Sequence, residues 1–284
     1  MKETEKLEIE CEKSFTAAAV STASKAGQWI KSRMGGFLSL QTKRSSRDLV
    51  TEIDKGAEAM IRKLLLTYYP DHAIWGEEGA DIGAGRVVRT AREAKECQYV
   101  WIVDPIDGTT NFVHGFPFFS VSIALSRYGQ IIAGVVYDPN RDEMFVAEKG
   151  QGAYVGGKRI SVAKTAKLSE SLLATGFPAD TERDLPLNVR DIQMLTPKVR
   201  SIRTAGSAAL QLAYVAAGRL SGFWERGLHA WDVAAGVLLV SEAGGNTSDI
   251  SGAPYDLAVG DIVATNGRIH QELIRELPSA GSPA

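Results

Sequence analysis

Two carboxylates, Asp104 and Asp107, stand three positions apart in the run Trp101-Ile102-Val103-Asp104-Pro105-Ile106-Asp107-Gly108-Thr109-Thr110-Asn111-Phe112. Carboxylate oxygens suit hard cations such as Mg²⁺, which is usually held by a few acids plus substrate phosphate. The Gly-Thr-Thr that follows offers amides and hydroxyls at a helix start, where N–H groups and the dipole favour an anion. Acids and an anion cradle in one turn are compatible when a cation lies between them. The run therefore points to metal-assisted phosphate-ester chemistry. Alone, a D-x-x-D pair reads more often as a cap or a solvated turn. The apolar strand before it and the Gly-Thr-Thr after it favour chemistry.

Three more acids carry weight: Asp54, Glu77 and Asp232, each beside an apolar run near a Gly, Thr or Trp. Glu77-Glu78 by itself reads as a solvent-exposed pair. Asp232 reads as a plain N-cap, or as a ligand brought across a cleft from the second half. His114 and His229 lie near these motifs but read as structural or supporting, because a hard cation does not need imidazole.

The elements that must position these groups follow from pattern. Residues 7–34 predict a long helix or two helices, with Ile9, Phe15, Ala19, Ala23 and Ala26 on one face, ended near Gly35-Gly36. A second helix is expected over 50–69, and a short strand at Ala73-Ile74-Trp75. Residues 80–98 are rich in Gly, Arg and Glu and read as a mobile segment. Strand 99–103 leads into the acidic turn. Runs 120–125 and 131–136 flank Tyr128-Gly129-Gln130 as a hairpin, and 144–147 and 153–155 continue the meander to Gly156-Gly157. The second half alternates: strand 172–175, a polar stretch, a helix over 205–217, strand 222–225, a helix over 232–243, strand 262–265 and a C-terminal helix. Two α/β halves sharing a cleft is the expectation.

Composition narrows the class. The 284 residues can bury a sizeable core, and 44% hydrophobic with 23% charged residues is ordinary for a globular protein. A net charge of −2, from 32 bases and 34 acids, argues against a surface that wraps nucleic acid. The acids also lack the alternating spacing of an EF-hand. Cys11 and Cys97 have no paired spacing, no apolar run approaches ~18 residues, and the charged N-terminus lacks a signal-peptide core. A soluble, cytoplasmic protein with no membrane partner is expected.

Residues 101–125 resemble the signature W-I-x-D-P-I-D-G-T-T-N-F-x-H of the inositol monophosphatase family. Trp231-Asp232-Val233-Ala234-Ala235-Gly236 through Glu242-Ala243-Gly244-Gly245 resembles its second signature. Gly76-Glu77-Glu78 and Asp48-Leu49-Val50-Thr51-Glu52-Ile53-Asp54 match two further elements. The resemblance spans residues 7–275, and four ordered motifs are far more specific than any one.

That resemblance implies a layered α-β-α-β-α sandwich, an α+β/α/β fold of the sugar-phosphatase type. It would be one catalytic unit over 7–275, with halves at about 7–165 and 166–275 and a flexible tail at 276–284. Glu77, Asp104 and the Ile106 carbonyl would hold one Mg²⁺; Asp104, Asp107 and Asp232 would hold a second; Glu77 would share a third, weaker ion. Gly108 and Thr109 amides would bind phosphate, while Asp54 and Thr109 orient the attacking water. Glu225 would accept hydrogen bonds from a polyol, with Gly206, Ser207 and Ala208 touching the same group. Glu225 reads alternatively as a strand-end acid paired with Arg226 or simply solvated. Lys43 matches a lysine of the family's mobile loop, and Lys43-Arg44 with Arg47 reads equally as a solvated basic loop.

The resemblance further implies a small-molecule phosphate ester as substrate, foremost myo-inositol 1-phosphate, lithium sensitivity and a homodimer. Broad sugar phosphates, fructose 1,6-bisphosphate, NADP or histidinol phosphate are alternative substrates. An RNA- or transcription-associated regulator is the alternative of another class.

Overall fold

Small residues decide how closely the first helix lies on the sheet. Helix α1 (Phe15–Lys31) buries Ala18, Ala19, Ala23, Ala26, Gly27 and Ile30 along one stripe. A Cβ at Gly27 would meet the Tyr137 ring at 2.5 Å. The computed structural model describes residues 14–35, 40–42, 49–79, 85–177, 184–258 and 260–277. The expected helix over 7–34 is thus seen as 15–31, and Ile9 lies outside the described residues. Strands β1 (Leu40–Thr42) and β2 (Leu49–Thr51) pair antiparallel.

Helix α2 (Glu52–Tyr68) starts at a capping box: the Thr51 hydroxyl accepts the Ile53 N–H, and Asp54 accepts the Thr51 N–H. Its buried face carries Ile53, Ala57, Ile61 and Leu65 at helical spacing, together with Asp54, Glu58 and Arg62. Charged groups in such a stripe need partners: Asp54 is bonded by Thr51 and Thr109, and Glu58 pairs with Arg62. After α2 come β3 (Ala73–Gly76), α3 (Ala91–Glu96), β4 (Tyr99–Asp107), α4 (Thr109–Val113), β5 (Ser120–Arg127) and β6 (Gln130–Asp138). Then β7 (Glu143–Glu148), β8 (Gly152–Val155) and β9 (Lys158–Arg159) complete a seven-stranded sheet in the order β3-β4-β5-β6-β7-β8-β9. Only β3 and β4 are parallel within it. The β5–β6 hairpin turns at Tyr128 and Gly129, with φ of 50° and 82°, the double positive φ of a type I′ turn.

The second half opens with β10 (Leu172–Thr175), α5 (Asp184–Leu195), β11 (Ser201–Thr204), α6 (Ala208–Ala216), β12 (Gly222–Glu225) and α7 (Ala230–Glu242). It ends with β13 (Asn246–Ser248), β14 (Ile262–Thr265) and α8 (His270–Glu276). Its five strands order as β11-β10-β12-β14-β13. Helices α1 and α2 cover one face of the larger sheet, and α6 and α7 lie between the two sheets. Leu195 and Ile192 of α5 and Leu273 of α8 pack with Trp224 and Val263 on the outer face of the smaller sheet. The layering is the α-β-α-β-α sandwich that the sequence implied.

Two expectations change. Strand β4 does not stop at Val103 but runs through both acids to Asp107. Over 85–98 the segment read as mobile carries structure: Val87 bridges to Ile74, Val88 and Ala94 are buried, and Lys95 of α3 reaches Asp256 at 2.6 Å. Among the described residues, no helix is long and apolar enough to cross a membrane.

Candidate active site

In a regular strand, residues three apart face opposite sides of the sheet. Asp104 and Asp107 escape this by a bulge. Asp104 pairs with Ser122 and Asp107 with Ser120, so β4 spends one more residue than β5 between the same two rungs. Pro105, which cannot donate to a ladder, sits in the irregular stretch. The bulge turns both acids to one side, where α7 delivers a third. Carboxylate oxygens of Asp104, Asp107 and Asp232 all lie within 4.8 Å of one another. Asp232 is not the N-cap residue that its position suggested. The helix starts earlier, with His229 as N-cap and Asp232 at the third helical position, accepting the His229 N–H at 2.6 Å.

Asp107 reaches into the second half. The Ser207 hydroxyl donates to its Oδ2, the Ala208 N–H to Oδ1 at 3.1 Å and the Ala209 N–H to Oδ2 at 2.8 Å. It thereby caps α6 with an anion where N–H groups and dipole want one. Glu77 follows the last residue of β3; its N–H donates to Val103 O at 3.2 Å, and its carboxyl lies beside Asp104. Burial, followed by repulsion from Glu77, Asp107 and Asp232, raises the Asp104 carboxyl well above the usual range. Burial likewise pushes Asp107 up to about 7, opposed by the Ser207, Ala209 and Ala208 hydrogen bonds. Asp104 Oδ1 is buried with no hydrogen-bond partner. An orphaned buried oxygen among converging carboxylates, all hard donors, fits an oxygen-liganded divalent cation.

Asp54 is wholly buried. Its Oδ2 accepts the Thr51 N–H at 2.8 Å and hydroxyl at 2.6 Å, and its Oδ1 lies 3.0 Å from the Thr109 hydroxyl. Thr109 Oγ1 is also 3.0 Å from Ile106 O. Gly108 holds φ at +100°, and a Cβ there would meet Gly206 O at 3.0 Å. Both the conformation and the close approach demand glycine. The Asn111 amide donates to Phe118 O at 2.6 Å and Ala205 O at 2.7 Å, clasping the turn of one half to a loop of the other.

Glu225, at the end of β12, is buried rather than solvated. Burial, then repulsion from Asp232 and Asp107, raises its carboxyl well above the usual range. A Cβ at Gly176 would collide with it. Arg226 turns instead to Asp191 of α5, at 2.7 and 3.2 Å, with both side chains buried. The alternative Glu225–Arg226 pairing is thus not formed, and Arg226 makes a cross-link to a helix where the sequence showed only a polar stretch. Asn188 of the same helix donates to Gly176 O. Ser207 and Ala208 are engaged by Asp107, and Gly206 faces Gly108 and Asn111. His229 stacks on Trp231 at 4.6 Å and 3°, and His114 is the C-cap of α4. Lys43 lies outside the described residues.

Sequence reasoning missed Glu58, Arg62, Asn188 and Asp191, all buried polar groups at core positions of their helices. The signal available was a charge standing where the apolar period called for a hydrophobe.

A family model described as the inositol monophosphatase family matches residues 12–282. The chain belongs to the inositol monophosphatase family. Inositol-1-monophosphatase of Synechocystis sp. is 43% identical over 252 residues, covering 89% of this chain and 84% of that protein. The Nus factor SuhB of Pasteurella multocida is 42% identical over 260 residues, covering 91% and 94%. The crystal structure of the extragenic suppressor protein suhB from Bartonella henselae superposes with a TM-score of 0.83 at 39% identity, over 92% of this chain and 97% of that one. Inositol monophosphatases are metal-dependent, and the chain is a phosphoric monoester hydrolase whose acidic triad can hold a metal.

Proposed function

We propose that the chain hydrolyses myo-inositol 1-phosphate to inositol and phosphate with two or three Mg²⁺ ions. The observation that carries this reading is the triad Asp104, Asp107 and Asp232 within 4.8 Å, with buried Glu225 coupled electrostatically to two of its members. Glu77, Asp104, Asp107, Asp232 and the Ile106 carbonyl would hold the cations. Mg²⁺ supplies charge relief for the leaving oxygen and acidifies water. The protein's own groups do the rest. The Gly108 and Thr109 amides, at the start of α4, donate to phosphate oxygens. The Thr109 hydroxyl orients the attacking water and relays a proton toward Asp54, whose other oxygen Thr51 already fixes. Glu225 accepts a hydroxyl hydrogen of the polyol. Attack is in line, with no phosphoryl-enzyme, so solvent oxygen is expected in the released phosphate and none on an enzyme side chain.

The test is phosphate release with Mg²⁺ from myo-inositol 1-phosphate, fructose 1,6-bisphosphate, NADP⁺ and histidinol phosphate, with Asp104→Asn alongside. Preference for the inositol ester, lost in the variant, is the expected result. Preference for another ester overturns the substrate and keeps the chemistry. The relative named Nus factor SuhB supports a second, transcription-associated role. Binding to RNA polymerase that survives in Asp104→Asn would establish it as separate from hydrolysis. A homodimer and inhibition by millimolar lithium belong to the same reading.

A further inference from the structure

Behind the Glu77 loop lies a buried ion pair that the proposed chemistry leaves unused. Glu58 and Arg62 stand one turn apart on α2, their side chains 1% and 2% exposed, with Arg62 Nη2 3.2 Å from Glu58 Oε1. Desolvating two charges is unfavourable, and a buried pair persists where further hydrogen bonds satisfy its remaining atoms. The bonds that are made go to one loop, while Arg62 Nε and Nη1 stay buried without a hydrogen-bond partner among the described residues. Glu58 Oε2 accepts the Glu78 N–H at 2.8 Å, and Arg62 Nη2 donates to Gly79 O at 3.4 Å. A Cβ at Gly76 would collide with the Glu58 carboxyl, so β3 closes over the pair only by ending in glycine. Residues 76, 78 and 79 are all seated on this pair, and Glu77 is the residue between them.

Asp54 and Glu58 are four positions apart and so share a face of α2. One end of that face holds Thr109, and the next turn holds the Glu77 loop. We propose that Glu58 and Arg62 are positioning residues that aim the Glu77 carboxylate at Asp104 and thereby set cation affinity. The proposal rests on the reading of Glu77 as a cation ligand. Neither residue touches substrate or cation; they act through the loop backbone. Glu58→Gln keeps an acceptor for the Glu78 amide but loses the charge that orders Arg62.

The experiment is calorimetric titration of Mg²⁺ alone, without substrate, into the wild-type protein, Glu58→Gln, Glu77→Gln and the double variant. Metal-free melting verifies that each is folded. Outer partners of metal ligands typically change affinity by about 10- to 100-fold, and a loss of that size is expected in Glu58→Gln. It should vanish in the Glu77→Gln background, because the residue acts only through Glu77. An equal loss in both backgrounds overturns the proposal and leaves a general structural role. Undiminished affinity in Glu58→Gln, with Glu77→Gln weakened, overturns it as well. Undiminished affinity in Glu77→Gln removes Glu77 as a ligand and the proposal with it. Should Glu58→Gln not fold, Arg62→Lys carries the same comparison, since it keeps the charge but not the planar guanidinium whose Nη2 meets both Glu58 and Gly79.

Discussion

Asp104 is buried beside Glu77, Asp107 and Asp232, and its Oδ1 has no hydrogen-bond partner, so ionising it without a cation is unfavourable. Asp104→Asn removes that charge and gives the neighbouring carboxylates an amide donor. The metal-free variant at pH 8 is therefore expected to melt above the wild type while phosphate release falls by at least about 10³-fold. A lower melting point would mean that Asp104 is already compensated in the metal-free protein. Thr109 calls for the opposite kind of test. Its hydroxyl bonds Asp54 at 3.0 Å, and general acid–base groups contribute about 10²- to 10⁴-fold. Thr109→Val should lose kcat in that range with Mg²⁺ affinity unchanged, and Thr109→Ser should recover most of it. Equal rates for the two variants would remove the hydroxyl from the reaction.

Helix α5 holds the Glu225 side of the site. Asp191 binds Arg226, next to Glu225, and Asn188 binds Gly176, against which Glu225 packs. Asp191→Ala takes away a buried carboxylate facing the guanidinium, a kind of loss that runs to about 3–5 kcal/mol. Unfolding in urea should show it, and KM for a polyol ester should rise more than kcat falls. A stability change under about 1 kcal/mol would show that other contacts of Arg226 suffice. This helix also marks where the sequence stopped being legible. Its buried positions are Asp184, Asn188, Asp191 and Leu195, mostly polar, so hydrophobic periodicity gave no helix there and the segment read only as a polar stretch. By contrast, α7 buries a nearly continuous apolar run from Val233 to Val240, and β4 and β5 are buried almost throughout. Their composition announced them. The converging acids Asp104, Asp107 and Asp232 were readable as candidates because their motifs are local. Glu58 and Arg62 were not, because a charge on α2 acquires its meaning only from Glu78 and Gly79, some 20 residues on.

Across the whole molecule, the two halves meet at Asp107, whose two oxygens both accept from the start of α6 while lying among the acids that can hold a cation. Proton, cation and docking of the halves are therefore linked through one carboxylate. The sign follows from burial. Asp107 is raised from 3.8 to about 7, and Asp104 is raised well above its ordinary value. Between those limits the folded metal-free protein binds more protons than the unfolded chain, so these groups lower its stability as pH rises from about 4 through 7. Buried His72 and His270, whose pKa values burial lowers, act the other way below about 6.5. The cleanest quantity is thus the rise in Tm caused by Mg²⁺ at each pH, in which the histidine contributions cancel. A cation binds the ionised carboxylates, so protons compete with it, and apparent affinity climbs up to about tenfold per pH unit for each proton displaced. The Mg²⁺-induced Tm increase should be small at pH 5.5, grow through 7 and level off above the pH at which both acids are ionised. In Asp107→Asn the growth around pH 7 should be lost. A pH-independent increase between 6 and 8 would mean that Asp104 and Asp107 are ionised before the cation arrives, with the charge balanced by groups other than the ones described.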